Sequence, residues 1–114
     1  MASGITFWGR RGDSDTLAAL AFLRAHGYRA DRVRDLDADP PRGGELESVR
    51  NGVGGWTELV AEGAGPMPDD GVDAWLGADA RRLRAPVLLT PKGALVGFRE
   101  RRWAAFLDIG KSRA

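Results

Sequence analysis

From residue 6 to residue 15 the chain reads Thr6-Phe7-Trp8-Gly9-Arg10-Arg11-Gly12-Asp13-Ser14-Asp15. The β-branched and aromatic residues at positions 5–8 predict a buried strand, and Gly9 to Gly12 predict a tight loop. Asp13, Ser14 and Asp15 supply N-cap side chains and negative charge for the start of a helix. This stretch therefore predicts a strand, a loop and a helix whose positive end holds Asp13.

The residues that follow extend this beginning into a βαβ unit. A helix is predicted over residues 16–25, with Leu17, Leu20 and Leu23, supported by Ala21, on its apolar side. Gly27 is a natural residue to end it. Residues 28–36 predict a second strand, and a strand–helix–strand unit of this length places its two strands parallel.

The remainder of the chain predicts helices followed by a hairpin. Helices are predicted from residue 42 or 44 to 49, over 56–60 and over 72–83, with a Gly- and Pro-rich loop at 62–71. The segments 87–89 and 94–96 flank Thr90-Pro91-Lys92-Gly93, a typical hairpin turn. Residues 100–107 predict a closing helix. The predicted fold class is α/β, with the element order of a thioredoxin-like fold and a mixed sheet of about four strands.

Composition excludes several kinds of chemistry. The 114 residues carry 17 basic and 16 acidic side chains, a formal net charge of +1, so no strong overall field attracts nucleic acid or membrane. The chain has no cysteine and one histidine, which excludes disulfides, thiolate nucleophiles and zinc sites built on cysteine. We expect a cytoplasmic protein with no metal, no cofactor, no membrane segment and no direct nucleic-acid ligand.

Several segments, in order along the chain, resemble the arsenate reductase-like (ArsC) family, which includes the Spx-type regulators. The matching segments are 6–9, 35–41 with 45–46, 55–59, 85–89 and 96–98 with Trp103. The resemblance implies one thioredoxin-like domain over residues 1–114 with a helical insertion at about 42–83. It also implies a cis bond before Pro86.

The resemblance also shows which family residues are missing. The family cysteine position falls on Asp13, and the arginine that reductases carry before the proline is replaced by Ala85, with Arg84 one residue earlier. Arg99 matches the family's later basic position. The resemblance therefore implies a reductase scaffold without reductase activity.

Two interpretations of Asp13 remain open. It is either a simple helix N-cap, which contributes about 1 kcal/mol, or part of a polar recognition surface with Arg10, Arg11 and Arg84. The ancestral active-site positions are then Asp13, Ser14 and Pro86, and the candidate binding residues are Arg10, Arg11, Arg84 and Arg99. The first functional hypothesis is a non-redox protein-interaction or regulatory module with a protein partner. The alternative is a cysteine-independent enzyme, or a small-molecule or anion binder, that uses the old cleft between Asp13 and Pro86.

Overall fold

The computed structural model describes residues 4–107, which form four strands and four helices. Two 3-10 turns, Thr57–Leu59 and Ala80–Arg82, lie on either side of the third helix. In chain order the strands and helices are β1 Thr6–Gly9, α1 Ser14–Ala25, β2 Arg32–Asp35, α2 Gly44–Val53, α3 Val72–Ala78, β3 Val87–Thr90, β4 Gly93–Val96 and α4 Glu100–Phe106.

The strands form one sheet in the order β2-β1-β3-β4. β2 pairs parallel to β1, whereas β3 is antiparallel to both β1 and β4. The βαβ unit, the hairpin and the mixed four-stranded sheet are therefore confirmed. α2, α3 and both 3-10 turns are inserted between β2 and β3.

Adjacent residues of β1 face opposite sides of the sheet, and a hydrophobic cluster covers each side. Trp8 packs in the cluster that includes residues of α2 and α3. Phe7 packs in the other cluster, which includes residues of α1 and α4. Both side chains are 0% exposed. The end of β1 is thus held by packing on both faces of the sheet, and this packing positions the loop that follows.

The predicted apolar side of α1 is right at Leu23, which is buried, and wrong at Leu17 and Ala21, which are exposed. Thr16, Ala19, Phe22 and Leu23 are the buried residues of this helix, while Leu17 is 65% exposed and Leu20 is half-buried. Because Thr16 is buried at the helix start, residues three, six and seven positions later face the sheet. Leu17, one position on, is rotated by about 100° away from the core.

Three other element boundaries differ from the prediction. β2 begins only at Arg32, because Asp31 just before it accepts hydrogen bonds from the backbone N–H groups of Gly4 and Ile5. α2 continues beyond residue 49 to Val53. The helix predicted over 72–83 stops at residue 78, where Asp79 turns extended and caps the following 3-10 turn. Within residues 4–107, no helix is long and apolar enough to cross a membrane.

Arg34 connects β2 to the start of the helical insertion. Its guanidinium lies 4.8 Å from the centre of a Trp8 ring, donates to both carboxylate oxygens of Asp39 at 2.9 Å and donates to Glu45 at 2.6 Å. The hydrogen bonds from Arg34 lower the pKa of Asp39, and the two carboxylates raise the pKa of Arg34.

This network predicts a specific loss of stability in acid. The pKa of Asp39 is lower in the folded chain than in the unfolded chain. Its ionised carboxylate therefore contributes fully to stability above the ordinary aspartate pKa of about 3.9. The contribution is lost as the pH falls through the folded value. We expect the free energy of unfolding, measured with urea, to fall less between about pH 5 and pH 2.5 in Asp39→Asn than in the wild type. Identical declines in the two proteins would contradict this role of Asp39.

Candidate functional site

The candidate site lies at the edge of the sheet where β1 and β2 end and β3 begins. Gly9 is in register with Asp35, and Trp8 is in register with Val87. The loop after β1 and the segment before β3 therefore meet at the same edge. The residues after β4 join them there, because Gly97 N–H donates to the carbonyl of Pro86 at 2.8 Å. This topology brings the regions of Asp13, Pro86 and Arg99 to one side of the molecule.

Asp13 is the N-cap of α1, and its carboxylate is occupied by its own helix. Oδ2 accepts from Thr16 N–H at 2.8 Å and from Thr16 Oγ1 at 2.9 Å. The same hydroxyl accepts from Arg10 N–H at 3.0 Å, and Asp13 N–H donates to the Arg10 carbonyl at 3.1 Å. These four bonds close the loop on itself. Ser14 is the first residue of the helix and is exposed.

Arg10 holds neighbouring loops together. Its Nε donates to Asp37 at 2.9 Å, and its Nη2 donates to the carbonyl of Ala80 at 2.9 Å. The guanidinium thus connects the loop after β1 with the segment after β2 and with the 3-10 turn that precedes β3. These two partners take up the Nε and Nη2 donors that an incoming anion would otherwise use.

Arg84 has a similar structural position. Its Nη2 donates to the carbonyl of Val60 at 2.9 Å, and its backbone N–H donates to Leu59 at 2.8 Å. Its aliphatic stem lies against Gly97, where an added Cβ would come within 3.0 Å of Arg84 Cδ. Arg84 therefore fastens the segment before β3 to the 3-10 turn at residues 57–59.

The other two candidate arginines differ from these. Arg11 and Arg99 are exposed, and their side chains make no ion pair or hydrogen bond with any residue that the structure describes. Of the four arginines named from the sequence, these two offer charge to solvent at this edge. Arg10 and Arg84, two of the three arginines of the predicted polar surface, thus donate to protein acceptors, whereas Arg11 of that surface and the further candidate Arg99 are exposed.

Pro86 is buried, and the Ala85–Pro86 peptide bond is cis. Ala85 is also buried, at 8% exposure. Between residues 4 and 107, no cluster of three or more histidine, aspartate or glutamate side chains could hold a metal ion. In the same part of the chain, every buried side-chain nitrogen or oxygen has a hydrogen-bond partner.

Two residues that organise the site were not found from the sequence. Thr16 is buried and orients Asp13, and Asp37 pairs with Arg10. The signal for Thr16 was present, since the residue three positions after an N-cap is a usual donor to the cap side chain. Asp37 gave no such signal, because it lies 27 residues from Arg10.

Comparison with known proteins rests on structure. No family model matches the sequence, and no curated protein matches it. The structure is similar to that of an ArsC family related protein from Bacteroides fragilis, with a TM-score of 0.78 and 19% identity over 92% of this chain and 98% of that one. The chain has the fold of arsenate reductase-related proteins.

Other solved structures agree with this assignment of the fold. A Staphylococcus aureus protein gives a TM-score of 0.74 at 16% identity, covering 90% of this chain and 97% of that one. An arsenate reductase related protein from Brucella melitensis gives 0.63 at 18% identity, covering 94% and 97%. The resemblance inferred from the sequence is thus confirmed for the fold. At such identities the likeness carries no activity to this chain.

Proposed function

We propose that this protein is a catalytically degenerate arsenate reductase-like protein that works as a non-redox protein-interaction or regulatory module. The observation that carries the proposal is the state of Asp13. A carboxylate with no redox chemistry occupies the N-terminus of α1, and Thr16 holds it there. The sequence contains no cysteine that could supply the chemistry from another position.

The arginines of the site support an interaction role over anion binding. Arg10 and Arg84 donate to protein acceptors, and the negative charge of Asp13 opposes an oxyanion at the helix start. Arg11 and Arg99 are exposed at the edge of the sheet that carries the candidate site. We propose that these two arginines contact an acidic surface of a protein partner in the cytoplasm, beside Pro86.

A redox assay tests the degenerate part of the proposal. We expect no arsenate reduction by the wild type with glutathione or thioredoxin as the reductant. In Asp13→Cys, the positive end of α1 stabilises the thiolate by about 0.4–1 kcal/mol. We therefore expect iodoacetamide at pH 7 to alkylate this variant about two- to fivefold faster than Ala25→Cys, at the opposite end of the same helix. Neither variant should reduce arsenate. Turnover by the wild type would overturn the proposal.

Partner capture tests the interaction part. From cells that produce the tagged protein, we expect one partner, identified by mass spectrometry and reconstituted at equal stoichiometry from purified components. Arg11→Glu and Arg99→Glu should abolish the complex. Lys92→Glu reverses a charge at the hairpin turn, on the opposite edge of the sheet, and should leave the complex intact. A small molecule released on denaturation, with no protein partner, would instead support the binder alternative.

A further inference from the structure

α1 has a second apolar face that the fold leaves open. Leu17, Leu20 and Ala21 follow one another at helical spacing on a face next to the one that packs on the sheet. Leu17 is 65% exposed, and Ala21 is also exposed. Among the residues that the structure describes, the exposed large apolar side chains are Leu17, Val33 and Met67. Two of these three therefore lie on α1 and on the neighbouring edge strand β2.

The same face carries both a protruding side chain and an open groove. The groove has a volume of about 430 Å³ and lies between α1 and β2, and its apolar lining consists of Leu20, Leu23, Tyr28, Ala30 and Val33. Leu17 is outside this lining, about 4.5 Å nearer the N-terminus of α1 than Leu20. A two-fold rotation about an axis near Leu20, perpendicular to α1, would carry Leu17 to the level of Leu23. Leu17 would then lie over the groove of a second copy.

Charge reverses along α1 and β2, from acidic at one end to basic at the other. In a βαβ unit the helix runs antiparallel to the strands, so β2 ends beside the start of α1. This end carries three carboxylates and one arginine, which are Asp13, Asp15, Asp35 and Arg11. The opposite end carries three arginines and one carboxylate, which are Arg24, Arg29, Arg32 and Asp31. A two-fold rotation therefore places the acidic end of each copy against the basic end of the other.

Charged side chains on the open face are available for such pairs. Asp35 lies on the same face of β2 as Val33, and its Oδ1 accepts from Asp37 N–H at 2.9 Å. Within residues 4–107, Asp35 Oδ2 and the guanidinium groups of Arg24 and Arg29 make no hydrogen bond or ion pair. The carbonyl of Asp35 accepts from Asp39 N–H at 2.7 Å. Side chains of this face, and not the backbone edge of β2, are therefore the groups that can bind.

We propose that this face binds a second copy of the same chain in a two-fold symmetric dimer, with the two α1 helices antiparallel. Leu17 of each copy packs into the groove of the other, and Asp35 of each copy pairs with Arg24 and Arg29 of the other. A two-fold contact requires a surface that is complementary to itself, and this face has that property in both shape and charge. A partner of uniform charge would be repelled at one end. The dimer needs no other protein, so its test and the test of the proposed function can fail separately.

Sedimentation velocity of the purified full-length protein tests the proposal. Because the contact is small, we expect a reversible monomer–dimer equilibrium with a Kd on the order of 10–100 µM. Backbone amide NMR signals that shift with protein concentration should lie at residues 17–24 and 33–35. Leu17→Ala should weaken the dimer at least about tenfold, since the apolar contact is lost twice. Met67→Ala removes an exposed apolar side chain from a different segment and should leave the Kd unchanged. A monomer at every concentration up to about 1 mM, shifts confined to other residues, or a wild-type Kd in Leu17→Ala would each overturn the proposal.

Two charge-reversal variants test the pairing itself. Asp35→Arg alone, and Arg24→Glu combined with Arg29→Glu, each place like charges opposite one another at both ends, so each variant should dimerise at least about tenfold more weakly than the wild type. Mixed in equal amounts, the two variants should form a heterodimer with the wild-type Kd, because opposite charges then meet at both ends. A mixture that stays monomeric while circular dichroism shows both variants folded would exclude this pairing. If Asp35→Arg does not fold, the arginine double variant and Leu17→Ala decide the outcome, since they alter only exposed side chains.

Discussion

Gly52→Ala should lower the free energy of unfolding by about 1–3 kcal/mol, even though alanine is the better helix former. Gly52 lies in α2 where this helix crosses β4. A Cβ at this position would come within 2.6 Å of the backbone nitrogen of Ala94 and 2.8 Å of its Cβ. Neither atom can rotate away, so the helix and the strand would have to separate. Urea unfolding, followed by tryptophan fluorescence, measures the change.

Gly77→Ala is the matched control, because it also replaces a helical glycine by alanine. Gly77 lies in α3, and an added Cβ there meets nothing within 4 Å. With no contact to oppose it, helix propensity alone should stabilise this variant by up to about 1 kcal/mol. The two substitutions should thus act in opposite directions. A similar gain from both would show that α2 can move away from β4 without cost.

Gly52 also shows why parts of the fold could not be predicted. A glycine cluster at 52–55 is typical of a helix end, and so α2 was predicted to stop at residue 49. In the fold Gly52 is inside the helix because the helix needs a residue without a side chain against Ala94. A glycine that ends a helix and a glycine that permits close packing look the same in sequence. Tertiary contact alone distinguishes them.

In the candidate site too, contacts between residues close in sequence could be predicted, and contacts between distant residues could not. The cap at Asp13 was predicted because an aspartate at a helix start accepts from a backbone N–H of its own first turn, which here belongs to Thr16, three residues away. The roles of Arg10 and Arg84 were not, because their acceptors at Asp37 and Val60 are 27 and 24 residues away. In sequence, an arginine beside a loop at a helix start indicates ligand binding as readily as a structural hydrogen bond. Only the tertiary structure shows which acceptor lies within hydrogen-bond distance of the guanidinium.

Gly9 controls whether Asp13 can be held at all, and we expect Gly9→Ala to destabilise the protein by about 1–3 kcal/mol. A Cβ on Gly9 would lie 2.4 Å from Thr16 Cγ2 and 3.0 Å from the Phe7 ring. Thr16 cannot turn away without losing its bonds to Asp13 and Arg10. The backbone at Gly9 is not among the positive-φ glycines, so the cost arises from the contact alone.

Thr16→Ser tests this explanation because serine lacks Cγ2 but keeps the hydroxyl that bonds Asp13 and Arg10. In the Thr16→Ser background, Gly9→Ala should cost less than in the wild type, with a coupling energy of about 0.5–2 kcal/mol in a double-mutant cycle. The stability lost through Gly9→Ala should be recovered only in part, since the added Cβ still contacts the Phe7 ring. Additive costs would mean that the Thr16 methyl does not limit this site. Coupling would show that one methyl group requires glycine before the loop and so fixes the geometry in which Asp13 caps α1.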